Sequence, residues 1–191
     1  MSNCCNGLLV VTGPVEERRR VARLWTDGEP IFNRILPQPD PFTEEDIARL
    51  RKSVNQAYPV LGSDREWPLG HLWWWRRLNW GTTSDVDEAD DVQETGDQTI
   101  IDFLTDGEPP IPVIEAMSRL FPAITFHLKW FETGCCLAGE ARFVAGHGEG
   151  NGYMPDSPEF QRLAAEFGYE EAEKGYVWRG EHEEEDRYED H

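Results

Sequence analysis

Four cysteines occur as two adjacent pairs, and they are the residues with the clearest capacity for metal chemistry. The pairs are Cys4–Cys5 and Cys135–Cys136. Four thiolates can hold a tetrahedral zinc ion. However, neighbouring residues of a strand point to opposite faces, and the Cys-x2-Cys spacing of zinc sites is absent. We therefore expect packing thiols with no metal and no cofactor, and reduced thiols fit a cytoplasmic protein.

The remaining polar motifs do not assemble a catalytic site. The five histidines lack the spacing of a metal-binding or protease motif. Residues 146–152 are rich in glycine, but Glu149 would repel a phosphate and no Lys-Ser/Thr follows, so we expect a flexible loop. We assign no catalytic residue and expect a protein that is not an enzyme. A small enzyme of unknown reaction is an alternative, and it would require Asn79, Asp85 and Glu132 to meet in a deep pocket.

A segment rich in tryptophan and arginine offers a nucleic-acid-binding alternative. Its candidate contacts are Trp73, Trp74, Arg76 and Arg77, and a basic patch on the first helix adds Arg18, Arg19, Arg20 and Arg23. Aromatic rings stack on bases and arginines bind phosphates. The net charge of −19 opposes nucleic-acid binding, so we prefer an interpretation in which the tryptophans pack and the arginines pair with acidic residues.

The acidic charge is concentrated in the second part of the chain. Residues 1–80 carry 11 basic and 10 acidic side chains, a net of +1, whereas residues 81–191 carry 7 and 27, a net of −20. Such a surface repels nucleic acid and anionic membranes and suits a basic protein partner. The carboxylates either only solvate the surface or imitate a nucleic-acid backbone. The candidate partner-binding residues are Asp87, Glu88, Asp90 and Asp91, and Glu170, Glu171 and Glu173.

The hydrophobic pattern predicts the elements that position these residues. Strands are expected at 7–12, within 78–86, at 99–105, at 124–131 and at 136–145, separated by an acidic solvent loop at 87–97. Helices are expected after Pro14, at 44–57 with Thr43 and Asp46 as its cap, up to Phe121, and at about 158–168. No apolar run is long enough to span a bilayer.

This order predicts an α+β fold, a ferredoxin-like split βαββαβ antiparallel sheet with an inserted helix, an added strand and a C-terminal helix. The ferredoxin-like domain would occupy residues 1–145 with an insertion at about 30–78, followed by an extension at 146–180 and an acidic disordered tail at 181–191. We expect strands 7–12 and 99–105 to be parallel neighbours. Strand 7–12 should run antiparallel to 124–131, which would bring the two cysteine pairs to one end of the sheet.

The first residues and one aromatic block resemble a known family. The opening Asn3-Cys-Cys-Asn-Gly-Leu-Leu-Val-Val-Thr-Gly-Pro14 resembles that of the YubB-like, ferredoxin-like proteins carried by plasmids and phages. Their Asn-Trp-Gly-Thr-Lys-Trp-Asp block corresponds to Asn79, Trp80, Gly81, Thr82 and Asp85, with Thr83 and Ser84 where the family has Lys and Trp. Phe121-Pro122 and the turn at 130–134 also correspond. The resemblance implies a fold and a mobile-element context, and it implies no chemistry.

Together these observations predict a non-catalytic accessory protein of a mobile genetic element that acts by protein binding. The partner we expect is a basic host protein that handles nucleic acid, for instance in defence, and the acidic surface would inhibit it as a mimic of nucleic acid.

Overall fold

An antiparallel sheet of six strands forms the centre of the protein. The computed structural model describes residues 4–59, 70–86, 89–172 and 175–178. The sheet has the order β2-β3-β1-β4-β5-β6. Its strands are β1 (Cys4–Thr12), β2 (Asp91–Glu94), β3 (Gln98–Asp106), β4 (Thr125–Glu132), β5 (Leu137–Val144) and β6 (His147–Tyr153).

Six helices and a small hairpin complete the described residues. The helices are α1 (Val15–Leu24), α2 (Ile31–Ile35), α3 (Glu44–Ala57), α4 (Gly70–Asn79), α5 (Ile111–Leu120) and α6 (Pro158–Glu166). Strands β7 (Tyr169–Ala172) and β8 (Gly175–Trp178) pair with each other in a separate two-stranded sheet. Within the described ranges, no helix is long and apolar enough to cross a membrane.

The strand order confirms the ferredoxin-like split βαββαβ architecture. Strand β1 lies between β3 and β4, and the register of both pairings is antiparallel. Our expectation that β1 and β3 are parallel neighbours is wrong in direction, although they are neighbours. The helical connection makes β1 and β2 parallel, and the tight hairpin between β2 and β3 then reverses the chain. Strand β3 must therefore run opposite to β1.

The insertion between α1 and β2 is larger than predicted. Its described residues contain three helices, α2 to α4, instead of the single inserted helix that we expected. The expected strand within 78–86 is also wrong, because residues 70–79 form α4 and residues 80–86 form turns. Trp74 of α4 is buried against Leu50 and Val54 of α3, so packing between the helices sets this segment's structure. The second strand of the fold is β2, which lies inside the segment that we expected to be a loop at 87–97.

Two strands extend the sheet beyond β4, where we predicted one. The glycine-rich stretch that we expected to be a flexible loop forms β6 and pairs with β5 along its whole length. The residues between them, Ala145 and Gly146, both have positive φ, as in the two-residue turn that joins tight hairpins. The sheet therefore continues past residue 145, and α6 follows close to its predicted position.

The two faces of the sheet have different coverings. Leu9, Ile101 and Phe126 point to the face that α1 and α5 cover, and they are fully buried in the main core. The opposite face, called the open face below, is covered only in part within the described residues. There α6 packs on Phe131 of β4 and Ala138 of β5 through Phe160 and Leu163. The half of the open face formed by β2, β3 and β1 has no described helix over it.

Candidate functional site

Three carboxylates meet on the uncovered half of the open face. Asp91 of β2 lies directly opposite Asp102 of β3, and the N–H of Asp90 donates to the carbonyl oxygen of Asp102 at 2.8 Å. Strand alternation sends the buried Ile101 to the core and Asp102 to the open face. The fold thus places Asp90, Asp91 and Asp102 together, and we call this group the acidic edge. Sequence reasoning selected the first two and missed Asp102, which stands inside an apolar strand.

The acidic edge is under electrostatic strain. Partial burial raises the pKa of Asp102 above its ordinary value, and the charges of Asp91 and Asp90 raise it further. Like charges directly across a strand pair destabilise a sheet. Some carboxylates elsewhere have basic partners, as Glu17 pairs with Arg20 at 2.9 Å and Asp27 with Arg34 at 2.6 Å, whereas the three carboxylates of the acidic edge form no salt bridge with a described residue. The acidic edge is therefore suited to receive positive charge from outside the chain.

Apolar side chains adjoin the acidic edge on the same face. Leu8 lies across from Asp102, and Val10 lies across from Ile100, with all three apolar side chains half-buried. Leu104, two residues beyond Asp102, is 45% exposed. An apolar centre beside a charged rim is the usual composition of a protein-binding surface.

The other predicted acidic residues do not join this group. Glu170 and Glu171 belong to β7 in the separate hairpin. Asp87, Glu88 and Glu173 lie outside the described residues. The predicted tail at 181–191 also falls outside them.

A second polar cluster, which sequence reasoning missed, lies at the covered half of the open face. His127 Nε2 is 3.0 Å from Glu140 Oε2, and Glu140 also accepts from the Tyr153 hydroxyl at 2.7 Å and from Arg162 at 3.1 Å. His127, Glu140 and Tyr153 border a cavity of about 470 Å³ between β4, β5 and β6. No motif in the sequence marks this cluster, because strand pairing and not spacing along the chain brings Glu140 and Tyr153 to His127.

The pKa shifts in this cluster indicate a structural role and do not favour proton transfer. Burial lowers the pKa of His127, although Glu140 acts in the opposite direction. Burial alone would raise the pKa of Glu140, but the Tyr153 hydrogen bond and the Arg162 charge bring it below the ordinary value. The bond to Glu140 raises the pKa of Tyr153. Glu140 is thus an ionised acceptor that ties α6 to the sheet through Arg162.

The aromatic block at 79–85 joins the inserted helices to the rest of the fold. The Trp80 indole is fully buried and donates to the Leu36 carbonyl oxygen at 2.9 Å. The Thr82 hydroxyl donates to the carbonyl oxygen of Asp106 at 2.9 Å. A side chain at Gly81, whose φ is +84°, would lie 2.6 Å from the Pro109 oxygen. Asn79 donates to the carbonyl oxygen of Trp75, one turn earlier in the helix.

Asp85 completes this block as a helix cap. Its two carboxylate oxygens accept from the main-chain N–H groups of Phe32 at 2.6 Å and Asn33 at 2.8 Å. These N–H groups belong to the first turn of α2, where helix donors lack an internal partner. Asp85 and Asn79 are therefore engaged locally, as is Glu132, which accepts from Gly134 and Cys135 at 2.6 Å.

The tryptophans and arginines of α4 are largely engaged within the fold. Trp74 is 8% exposed in the cluster with α3. Arg76 lies over the Trp80 ring at 4.9 Å and donates to Gln38, whereas Arg77 lies over Trp73 at 5.4 Å and forms an ion pair with Glu108. These contacts occupy the groups that a nucleic acid would have to reach.

The basic patch on α1 is smaller than its sequence suggests. Arg18 is only 3% exposed, and its guanidinium donates to the carbonyl oxygens of Gly13, Thr95 and Gly96. It therefore binds the start of α1 to the turn between β2 and β3.

The cysteine pairs lie at the same end of the sheet. Cys5 lies opposite Glu132, and Cys135 and Cys136 follow in the next turn. None of the four cysteines forms a disulfide within the described residues, and burial raises the pKa of Cys5 to about 12, so this thiol holds its proton. Among the described residues, no group of three or more histidine, cysteine or acidic side chains could hold a metal ion.

Comparison with known proteins identifies the fold. A family profile described as the ferredoxin-like domain in Api92-like protein matches residues 83–189, more than half of the chain. The crystal structure of a protein api92 from Yersinia pseudotuberculosis superposes with a TM-score of 0.52 and 8% sequence identity, over 81% of this chain and 99% of that chain. At that identity the likeness shows the fold alone. No curated protein matches this sequence.

Proposed function

This chain belongs to the family of Api92-like proteins with a ferredoxin-like domain, and from that premise we propose that it is a non-catalytic accessory protein that acts by binding another protein. The observation that carries the proposal is the like-charged pair of Asp91 and Asp102 beside an exposed leucine. A pair that costs stability is retained most readily where a partner uses it.

The partner we propose is a basic protein that handles nucleic acid. Carboxylates on a sheet edge have fixed positions and can present a row of negative charge, as a phosphate backbone does. The acidic edge would supply the charge, and Leu8, Val10 and Leu104 would supply the apolar contact. Such an acidic surface would inhibit the partner by occupying its nucleic-acid-binding site.

The context we propose is a mobile genetic element. The opening residues 3–14 and the block at 79–85 support the finer assignment to YubB-like proteins of plasmids and phages. Host nucleases and other defence proteins are basic targets that such elements encounter, and the protein would act on them inside the host cytoplasm.

Neutralisation of the acidic edge tests this function. The variant D90N/D91N/D102N would be compared with E29Q/E44Q/E45Q, which changes the net charge equally at exposed positions elsewhere. A host protein captured by the wild type would be purified, and its association rate would be measured at low and high salt. We expect the acidic-edge variant to bind about tenfold or more weakly, the control to bind normally, and the wild-type association rate to fall steeply with salt.

Two further neutralised sets separate the acidic regions. The set D87N/E88Q extends the acidic edge along the chain, and the set E170Q/E171Q/E173Q tests the β7 hairpin. If the acidic-edge variant binds as well as its control, or if the wild-type association rate ignores salt, the acidity only solvates the surface and the proposed function is wrong.

A further inference from the structure

The outer edge of β6 presents unpaired main-chain groups. Val144 and His147 flank the two-residue turn and are directly paired, which is possible only if they exchange both main-chain hydrogen bonds. The N–H and C=O groups of successive residues alternate in direction along a strand. His147, Glu149, Asn151 and Tyr153 therefore bond to β5, whereas Gly148, Gly150 and Gly152 direct their groups away from the sheet. Within the described residues no strand pairs with this side of β6.

This edge lacks the features that usually block strand addition. Natural sheets protect their edges with short strands, prolines, lysines or bulges. The opposite edge, β2, has four residues, of which Asp91 and Glu94 are charged. Strand β6 has seven residues without proline or lysine, pairs without a bulge, and is exposed along nearly its whole length.

An apolar groove lies beside the same edge, on the helix side of the sheet. The three glycines carry no side chains there, and two adjoining cavities of about 270 and 610 Å³ share Ile111, Trp130 and Gly152 in their walls. Leu137 and Met154 line the larger cavity and are 38% and 71% exposed. The groove can take apolar side chains from a strand placed next to β6.

The charges along the groove are acidic. Glu108 and Glu115 line the cavities and already pair with Arg77 and Arg119. Glu149 is exposed on the open face of β6, directly across from Arg142 of β5, and forms no salt bridge with a described residue, so its outer side remains open to a second cation. A strand paired with β6 would place one of its open-face side chains near Glu149, where a cation is favoured.

We propose that β6 binds an extended segment of another protein by strand addition, with apolar side chains alternating with basic ones. The apolar side chains enter the groove of Ile111, Trp130 and Met154, and the basic ones face Glu149. Main-chain bonds to Gly148, Gly150 and Gly152 supply affinity, and the groove selects the sequence. This site lies at the opposite edge of the sheet from the acidic edge and does not depend on the function proposed for it.

A second copy of this chain fits the edge less well. Antiparallel pairing of two β6 strands about Gly150 would place glycines opposite glycines and leave both grooves empty. Each chain also carries a net charge of −19, which opposes self-association. An extended segment with alternating apolar and basic side chains would fill the groove and place positive charge beside an acidic protein.

Gly152 allows a matched pair of variants. A Cβ at this position would have no atom closer than the Ala138 oxygen at 3.8 Å, so Gly152→Ala fits and keeps the outward N–H. Gly152→Pro removes that N–H and obstructs an incoming strand, while edge strands tolerate proline where the N–H faces outward. The difference in peptide binding between the two variants therefore measures what the outward N–H of residue 152 contributes.

The probe is a short fluorescein-labelled peptide in which isoleucine alternates with lysine. We expect saturable binding to the full-length wild type and to G152A, and about tenfold or weaker binding to G152P. Methylation of alternate peptide nitrogens should abolish binding, and replacement of lysine by glutamate should weaken it. In amide NMR spectra of the wild type, the N–H signals of Gly148, Gly150 and Gly152 should shift and gain protection from exchange.

Several outcomes would overturn the proposal. The N-methylated peptide could bind as well as its parent, or the shifts could map to the acidic edge. Wild-type dimerisation that G152P abolishes would assign the edge to a second copy. If G152P is unfolded by circular dichroism, the N-methylated peptide and the NMR map still decide. D90N/D91N/D102N should leave peptide binding unchanged, which separates this site from the proposed function.

Discussion

Asp91 lies directly across from Asp102 on the antiparallel strands β2 and β3, so the open face of the sheet carries a like-charged cross-strand pair. Burial and the neighbouring aspartates both disfavour the ionised form of Asp102. The pair therefore costs stability at neutral pH, and this cost links the acidic edge to a measurable property of the free protein.

Asp102→Asn should stabilise the protein at neutral pH by roughly 0.2–1 kcal/mol, since it removes a like-charge pair. The pKa of Asp102 is raised in the folded state, so the folded protein takes up its proton at higher pH than the unfolded chain. The penalty is then present above the folded pKa and absent below the ordinary value of 3.8. Urea unfolding at neutral pH and below pH 3.8 should show that Asp102→Asn raises the free energy of unfolding only at neutral pH. Asp97→Asn, at an exposed position, serves as the control. Equal stability of wild type and D102N at neutral pH would contradict the strain.

Asp85→Ala should destabilise the protein by about 1–2 kcal/mol, because two N–H groups of α2 lose their acceptor. The free energy of unfolding from denaturant titration measures the loss. Glu45→Ala, at an exposed position of α3, serves as the control and should change stability little. If the D85A protein is as stable as the wild type, Asp85 does not stabilise the fold as a helix cap, and the aromatic block has some other role.

His127 should titrate below its ordinary pKa of 6.5 in NMR spectra, because burial disfavours its charged form. The unfolded chain then binds the proton more readily, so the stability that His127 contributes above pH 6.5 is lost as the pH falls. Glu140→Gln should lower the His127 pKa further, whereas Arg142→Gln should raise it. A His127 that titrates at or above 6.5, or shifts of the wrong sign in these variants, would refute the arrangement of the cluster.

Gly139→Ala should destabilise the protein by about 1–3 kcal/mol, as overpacking does. A Cβ at this position would lie 2.2 Å from the Trp130 ring and 2.5 Å from the Asn151 carbonyl oxygen, so the β5–β6 pairing must shift. Gly152→Ala, in open space on the neighbouring strand, should cost less than about 0.5 kcal/mol. Thermal unfolding of both variants measures the difference, and equal costs would argue against the close approach of Trp130 to β5.

Local signals in the sequence predicted several elements well. Thr43 and Asp46 form the expected capping box, and α3 has the bounds that we expected. The strand expected at 124–131 corresponds to β4, Thr125–Glu132, in which Phe126 and Leu128 are buried and His127 between them is half-buried. Each of these features depends on residues within one or two turns or a single strand, so a pattern in the chain suffices to find it.

Other predictions were wrong because contacts between distant segments decide the local structure. Glycines in residues 146–152 indicated a loop because glycine weakens an isolated strand. In the folded protein Phe143 lies where a Cβ at Gly148 would be, 2.4 Å away, so the neighbouring strand requires glycine there. Likewise the strand expected within 78–86 does not form, because α4 continues to Asn79 and the buried Trp80 indole then bonds to the distant Leu36 carbonyl oxygen.

The sequence by itself determined the fold class, the central strands β1, β3 and β4, and the concentration of acidic charge, because composition and short-range periodicity carry that information. Only the tertiary structure decided which groups meet. Asp102 joins Asp91 through strand register, His127 joins Glu140 and Tyr153 across three strands, and the three outward glycines acquire a free edge through the turn at Ala145 and Gly146. Strand pairing unites residues that are far apart in the chain, and no local pattern records the partner.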